Sequence, residues 1–526
     1  MTGSSGSLKV MSGGRGAGLA GILVMWLMAA VPATAVPEGP PPGTPDWFAR
    51  EAANVAHTSG EQQREAADPA FQARLTQQSA ANIQSFALRQ ATDPDWATAG
   101  NVCESWGGDC AGDPYRYPGI DPFYDTVGRV TPISFYDAEG ARISGRVWAP
   151  KHPAPGHRYP AVVIETGSVQ APEPLYWWFA QTLVSNGYVA MTFDVRGQGR
   201  SDNHAPGGAQ GGNADASVFW YGLVDAIDWF RATPGQKYTH NAQWLPSHPL
   251  ASAAHPNADF NPEWQLVDPD RLGIAGHSLG ATGVSIVQGL QPWPGIIGHG
   301  GPNPVKATVA WDNLAAPGGS GMGSTPPPYT IRTPSLGSSN DYSLVVVPYT
   351  APPDPEGKKQ AFSAWEKARV PTMQVVIQGA THYEYSLIPD FPAPFPTSNW
   401  KAWGNPLADH YSLAWMDRWL KLAGEPGFAD ADPRLLQDRA WGDRMSFYFR
   451  SARDFPDRAG QRHVCQDIRA GCQDSATAYS PPAYTPGMAG TSHLPNTSTA
   501  LPAVALIVPV ALLVVAARRR RPGLRR

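Results

Sequence analysis

Residues 271–284 have the sequence RLGIAGHSLGATGV, and this stretch decides the fold. A strand-like run at 271–275 leads into a Gly-His-Ser-Leu-Gly turn, and small residues typical of a helix start follow it. A serine on such a strand-to-helix turn is held in strained backbone geometry with its hydroxyl facing outward. The stretch therefore predicts a nucleophile at Ser278, and the alternative is a glycine-rich structural turn.

The chain on both sides of this turn alternates between strand and helix patterns. Alternating apolar positions at 130–136 and 141–148, joined by a short turn, predict a β-hairpin. Apolar runs predict further strands at 160–166, 188–193, 305–311, 334–338 and 373–378. Helical periodicity predicts helices at 174–185, 215–232, 280–290 and 409–422. We expect an α/β fold with a mainly parallel sheet that opens with an antiparallel hairpin.

A second motif, DVRGQGRSD at residues 194–202, follows the strand at 188–193. It resembles the loop after the fourth strand of α/β-hydrolases, which commonly has the pattern D-x-R-G-x-G-x-S. With the turn at Ser278, two motifs stand in the order of that family, and the resemblance covers residues 128–424. It implies the α/β-hydrolase fold and a serine hydrolase similar to secreted bacterial esterases and lipases. A phosphate-binding loop is the weaker interpretation, because no G-K-[ST] follows.

The resemblance also implies a base and an acid for the serine, which is a weak nucleophile alone. In the family the histidine follows the last strand, and His382 stands in that place. The acid follows the preceding strand, which makes Asp341 our first choice. It would orient the imidazole and stabilise its cation. Three rival acids remain open: Asp312, Asp354 and Glu356.

An oxyanion hole requires two backbone N–H groups that face the developing negative charge. Leu279, directly after the nucleophile, is expected to supply one. Ser168, in the loop after the third strand, is expected to supply the other. Many relatives carry His-Gly in this loop, whereas this chain has Thr166-Gly167. The expected reaction is acyl transfer through an acyl-enzyme, with no metal or organic cofactor.

Both chain ends carry export and membrane patterns. A basic start, an apolar run and Ala-Thr-Ala predict a signal peptide at residues 1–35. Residues 500–517 carry no charge and precede a basic tail at 518–526, which predicts a membrane span or sorting segment with a cytoplasmic tail. The sequence LPNTS at 494–498 resembles a Gram-positive sortase signal, with Ser498 in place of the final glycine. We expect an exported, surface-held protein, and membrane anchoring and cell-wall attachment both remain open.

Four cysteines in an exported chain predict disulfides. Three pairings are possible, and we favour the two local ones, Cys103–Cys110 and Cys465–Cys472, over a zinc site. The cysteines lie in segments that flank the catalytic region at 128–424. These segments are a helical and loop extension at 36–127, a C-terminal extension at 425–472 and a flexible Ser/Thr/Pro-rich stalk at 473–499.

Composition limits the classes of function. The net charge is −4 and charged residues make up 16%, which gives no electrostatic reason to expect a nucleic-acid partner. The expected substrate is a small-molecule or lipid ester. A peptidase or acyltransferase on the same triad, and a catalytically inert surface binding protein, are the alternatives.

Overall fold

A ten-stranded mixed sheet forms the centre of the molecule. The structure is a computed structural model that describes residues 40–41, 43–54, 69, 123–168, 172–248, 259–319, 323–344, 347–386 and 404–472. The strands are β1 (Gly128–Tyr136), β2 (Arg142–Pro150), β3 (Tyr159–Glu165), β4 (Val189–Asp194), β5 (Val267–His277), β6 (Val305–Trp311), β7 (Ser335–Asn340), β8 (Thr372–Ile377), β9 (Ala452–Pro456) and β10 (Arg462–Cys465).

The strand order is β1-β2-β4-β3-β5-β6-β7-β8-β9-β10. Strands β4, β3, β5, β6, β7 and β8 run parallel to one another. Antiparallel pairs complete both edges, with β1 and β2 on one side and β9 and β10 on the other. Because the carboxyl ends of parallel strands meet at one edge, the loops after β3, β5, β6, β7 and β8 share that edge.

Helices cover both faces of the sheet. They are α1 (residues 45–54), α2 (Trp177–Ser185), α3 (Val218–Arg231), α4 (Thr239–Trp244), α5 (Leu279–Val287), α6 (Gln360–Ala368), α7 (Asn405–Leu420), α8 (Ala431–Leu435) and α9 (Asp438–Trp441). Helices α2 and α7 pack in the core on one face, and α3, α5 and α6 in the core on the other. The alternation of β3 shows the division, since Val162 and Ile164 lie in the first core and Ala161 and Val163 in the second.

The α/β architecture and the hairpin expected from the sequence are both present. Strand β6 has the expected bounds, and the other expected strands and helices differ at their ends by a few residues. Six helices and strands were not expected: α4, α6, α8, α9, β9 and β10. Strand β9 pairs with β8, so the sheet continues past residue 424, where we had placed the end of the catalytic region.

Two further elements tie chain segments outside the expected catalytic region to the sheet. Helix α1 carries Trp47, which is buried in a small core with Val376 of β8 and Tyr448. A disulfide joins Cys465, at the end of β10, to Cys472. Cys103, Cys110, the signal segment at 1–35 and the segments at 473–526 lie outside the described residues.

Candidate active site

Ser278 lies between β5 and α5, on a turn that the backbone can make only under strain. Its φ is 58° and its ψ is −119°, a conformation that L-residues rarely adopt. Strand β5 ends at His277 and α5 begins at Leu279. The turn therefore places Ser278 at the carboxyl edge of the sheet and at the positive end of a helix.

Two glycines allow this turn to pack against its neighbours. A Cβ at Gly276 would lie 2.4 Å from the carbonyl oxygen of Gly280. A Cβ at Gly280 would lie 2.3 Å from the carbonyl oxygen of Thr166, in the loop after β3. Both separations are shorter than any carbon–oxygen contact that a protein tolerates, so the strand, the helix and the β3 loop fit together only without side chains here.

His382 lies directly beside the Ser278 turn. The rings of His277 and His382 have centroids 4.5 Å apart, and His277 Nε2 donates to the carbonyl oxygen of His382 at 2.8 Å. Among the side-chain hydrogen bonds within the described residues, none involves the Ser278 hydroxyl. In structures without substrate, a bond from a serine hydroxyl to an imidazole is often long and tightens only when substrate binds.

Asp312, directly after β6, holds His382. His382 Nδ1 lies 2.7 Å from Asp312 Oδ2, and Ser339 Oγ donates to the other carboxylate oxygen at 2.7 Å. Burial acts to raise the pKa of Asp312, but the hydrogen bond and charge of His382 and the bond from Ser339 lower it below its ordinary value. An ionised acid therefore faces Nδ1, which leaves Nε2 of His382 for a proton from another group.

Asp341, our first choice for this acid, has a different role, and the choice is corrected to Asp312. The Asp341 carboxylate is fully buried and accepts hydrogen bonds from the Gly379 N–H at 2.8 Å, from Asn54 Nδ2 at 3.3 Å and from the Ser446 hydroxyl. These donors take both of its oxygens. Burial raises the pKa of Asp341 to about 6. The other two candidate acids have other partners. Glu356 pairs with Lys359 and Arg450, and Asp354 accepts from the N–H of Glu356 in its own loop.

The expected oxyanion donors lie on the two loops that meet at Ser278. Leu279 is the first residue of α5, and the first N–H groups of a helix have no partner within it. Ser168 is buried in the loop after β3. Within the described residues, neither backbone N–H is engaged in a hydrogen bond. In contrast, the N–H of the neighbouring Gly167 is engaged, because it donates to the Tyr176 hydroxyl at 3.0 Å.

Three buried residues near the turn were missed as site residues. Tyr176 and His277 link the loops around Ser278, and Glu165, the last residue of β3, is fully buried with no hydrogen bond to its carboxyl oxygens among the described residues. Burial raises the pKa of Glu165 well above its ordinary value, which favours the protonated form of this carboxyl. The sequence offered only one signal, which is position: Glu165 precedes the Thr166-Gly167 loop, and His277 directly precedes Ser278.

The described residues contain no group of three or more His, Cys, Asp or Glu side chains placed to hold a metal ion. Across the same ranges, no helix has the length and apolarity needed to cross a membrane.

Comparison with known proteins gives little. No family model matches the chain, and no curated protein matches it either. Among solved structures, a hypothetical protein from Pseudomonas aeruginosa is similar at 20% identity over 35% of this chain and 42% of that one, with a TM-score of 0.24. A similarity this slight gives no information about function. A function is therefore inferred only from the geometry around Ser278.

Proposed function

We propose that this chain is a serine hydrolase of the α/β-hydrolase type that cleaves carboxylic esters. One observation carries the proposal: the Asp312–His382 pair, joined at 2.7 Å, lies beside a serine with a φ of 58° at a strand-to-helix turn. An acid that orients a histidine next to a strained, outward-facing serine is the arrangement that nucleophilic acyl transfer requires.

The proposed reaction has two steps. Nε2 of His382 takes the Ser278 proton while Oγ forms a bond to the substrate carbonyl carbon, and Asp312 stabilises the imidazolium. The N–H groups of Leu279 and Ser168 receive the oxyanion. His382 then gives its proton to the departing alkoxide as the carbon–oxygen bond breaks. Water, deprotonated by His382, cleaves the acyl-enzyme to a carboxylic acid and restores Ser278.

Peptidase and acyltransferase activities would use the same three residues, so substrate chemistry distinguishes them from an esterase. The direct experiment measures hydrolysis of p-nitrophenyl esters of increasing acyl length against matched p-nitroanilide amides. We expect turnover of esters and at least about 100-fold lower turnover of amides, because the amine is the poorer leaving group.

The control for this panel is Ser278→Ala, which removes only a hydroxyl. We expect the variant to lose roughly 10³-fold or more in kcat while it unfolds at the temperature of the wild type. Ester turnover by this variant at the wild-type rate would end the proposal, and an inert wild-type protein would favour the surface binding alternative.

Export and surface attachment are also proposed, and they are supported by the sequence patterns at residues 1–35 and 494–526. N-terminal sequencing of protein from the native host should find a start near Val36. A mature protein that begins at Met1 would contradict this part of the proposal.

A further inference from the structure

A chain of hydrogen bonds passes from the oxyanion loop to the base through two buried side chains. The Gly167 N–H donates to the Tyr176 hydroxyl oxygen at 3.0 Å, and that oxygen lies 2.9 Å from His277 Nδ1. On the other side of the ring, His277 Nε2 lies 2.8 Å from the backbone oxygen of His382. The chain therefore connects three separate loops that meet only at the carboxyl edge of the sheet.

The directions of these bonds follow from the chemistry of each group. A carbonyl oxygen only accepts, so His277 Nε2 carries a proton and donates to His382. Neutral imidazole then has its lone pair on Nδ1, which accepts the proton of the Tyr176 hydroxyl. The hydroxyl oxygen accepts in turn from Gly167. Each group in the chain can give and receive as its type allows when His277 carries its single proton on Nε2.

Burial makes this chain rigid. Tyr176 and His277 have relative exposures of 0% and 1%. Because buried polar groups lose more free energy when unpaired than exposed ones, alternative rotamers of either side chain are disfavoured. Gly167 itself leaves no space for movement, since a Cβ there would lie 2.8 Å from the Tyr176 hydroxyl oxygen.

We propose that Tyr176 and His277 are positioning residues, which set the oxyanion loop, the Ser278 turn and the His382 backbone at the separations that acyl transfer needs. The inference rests on the proposed hydrolase function. Because the Gly167 N–H already donates to the Tyr176 hydroxyl, the Ser168 N–H is left to serve as the oxyanion donor from the loop after β3. Loss of a link shifts reacting groups by fractions of an ångström, and shifts of this size lower rates by up to about 100-fold.

The first test compares Tyr176→Phe with Tyr188→Phe. Tyr188 is also fully buried, and its hydroxyl donates to Asp417 Oδ1 at 2.6 Å, but it lies at the opposite edge of the sheet, at the start of β4. Both variants lose one buried hydroxyl, so both should unfold at lower temperature. Only Tyr176→Phe should lose kcat on p-nitrophenyl esters, by about tenfold to 100-fold, with KM within about twofold.

A kcat for Tyr176→Phe equal to that of Tyr188→Phe would overturn the inference, because it would show a purely structural hydroxyl. This outcome differs from failure of the proposed function, in which Ser278→Ala keeps wild-type turnover. If Tyr176→Phe does not fold, variants of His277 give the answer by another route.

Asparagine and glutamine each retain one of the two hydrogen-bonding positions of the His277 ring. The amide of asparagine lies near the position of Nδ1 and that of glutamine near the position of Nε2. We expect His277→Gln, which can still donate to the His382 backbone, to keep at least about fivefold more kcat than His277→Asn. Equal kcat values for the two variants, at the wild-type level, would refute the positioning role.

Discussion

Two carboxylates follow neighbouring strands of the sheet and bind different partners. Asp312 follows β6, is partly exposed and holds His382. Asp341 follows β7, is fully buried and binds the Gly379 N–H, Asn54 of α1 and the Ser446 hydroxyl. The first carboxylate lies at the proposed active site, and the second joins the two ends of the described chain to the loop after β8.

The side chains around each carboxylate, rather than its position after a strand, determine which carboxylate pairs with His382. Adjacent strands lie about 4.8 Å apart, so a histidine on the loop after β8 is within reach of either carboxylate. The backbone of His382 in fact donates to the Ser343 carbonyl, close to Asp341. Its side chain pairs with Asp312, whereas donors from α1, Gly379 and Ser446 engage both oxygens of Asp341.

Exchange of Asp312 for asparagine should have the largest effect on catalysis. An amide in this place cannot stabilise the imidazolium and favours the wrong tautomer of His382. We expect Asp312→Asn to lose about 10³- to 10⁴-fold in kcat on p-nitrophenyl esters. Steady-state kinetics measures the loss, and a loss smaller than tenfold would return the acid role to another residue.

Exchange of Asp341 for asparagine should affect stability first and kcat second. The amide places a donor against N–H and hydroxyl donors in a fully buried site, which costs about 2–3 kcal/mol of the free energy of unfolding. We expect kcat to remain within about tenfold of wild type. Urea denaturation and ester kinetics on the same preparation check both values, and a kcat as low as that of Asp312→Asn would contradict the division of roles.

The two carboxylates should also give stability opposite dependences on pH. The pKa of Asp341 is raised in the folded protein to about 6, so the folded state holds a proton that the unfolded state releases, and this contribution falls as pH rises from about 4 to about 6. The pKa of Asp312 is lowered, so its contribution is present above its ordinary pKa and is lost as pH falls.

The fall of the Asp341 contribution with rising pH can be tested with Asp341→Asn, because asparagine has no carboxyl proton to release. Its deficit in unfolding free energy relative to wild type should narrow by about 1 kcal/mol between pH 5 and pH 7. Denaturation curves at the two pH values measure the deficit. A deficit that stays constant or widens would show that Asp341 is ionised throughout.

The smallest expected effect concerns Ser339, whose hydroxyl donates to the second oxygen of Asp312. Ser339→Ala removes one hydrogen bond from an ionised acceptor, worth about 2 kcal/mol, and leaves the His382 bond in place. We expect kcat to fall by about three- to tenfold. Ser335→Ala, a buried serine at the far end of β7 that donates to the Thr333 carbonyl, is the matched control and should keep the wild-type kcat.

The sequence predicted the parts of this site that local patterns encode. Ser278 was chosen because its turn is a short motif between a strand and a helix, and His382 because it follows β8, and the structure places both at those positions. Asp341 was preferred because it follows the strand that precedes the histidine strand. Family order alone cannot tell the end of one strand from the end of the next. The contacts that distinguish Asp341 come from Asn54 and Ser446, 287 and 105 residues from Asp341 along the chain, and no local pattern encodes such pairs.

Covalent labelling by a fluorophosphonate, followed by mass spectrometry of the modified peptide, tests whether Ser278 is the nucleophile. We predict a single adduct on Ser278, formed at similar rates by wild type and Asp341→Asn and at least about 100-fold more slowly by Asp312→Asn. An adduct on another residue, or labelling of Asp312→Asn as fast as wild type, would contradict the assignment of Ser278, His382 and Asp312.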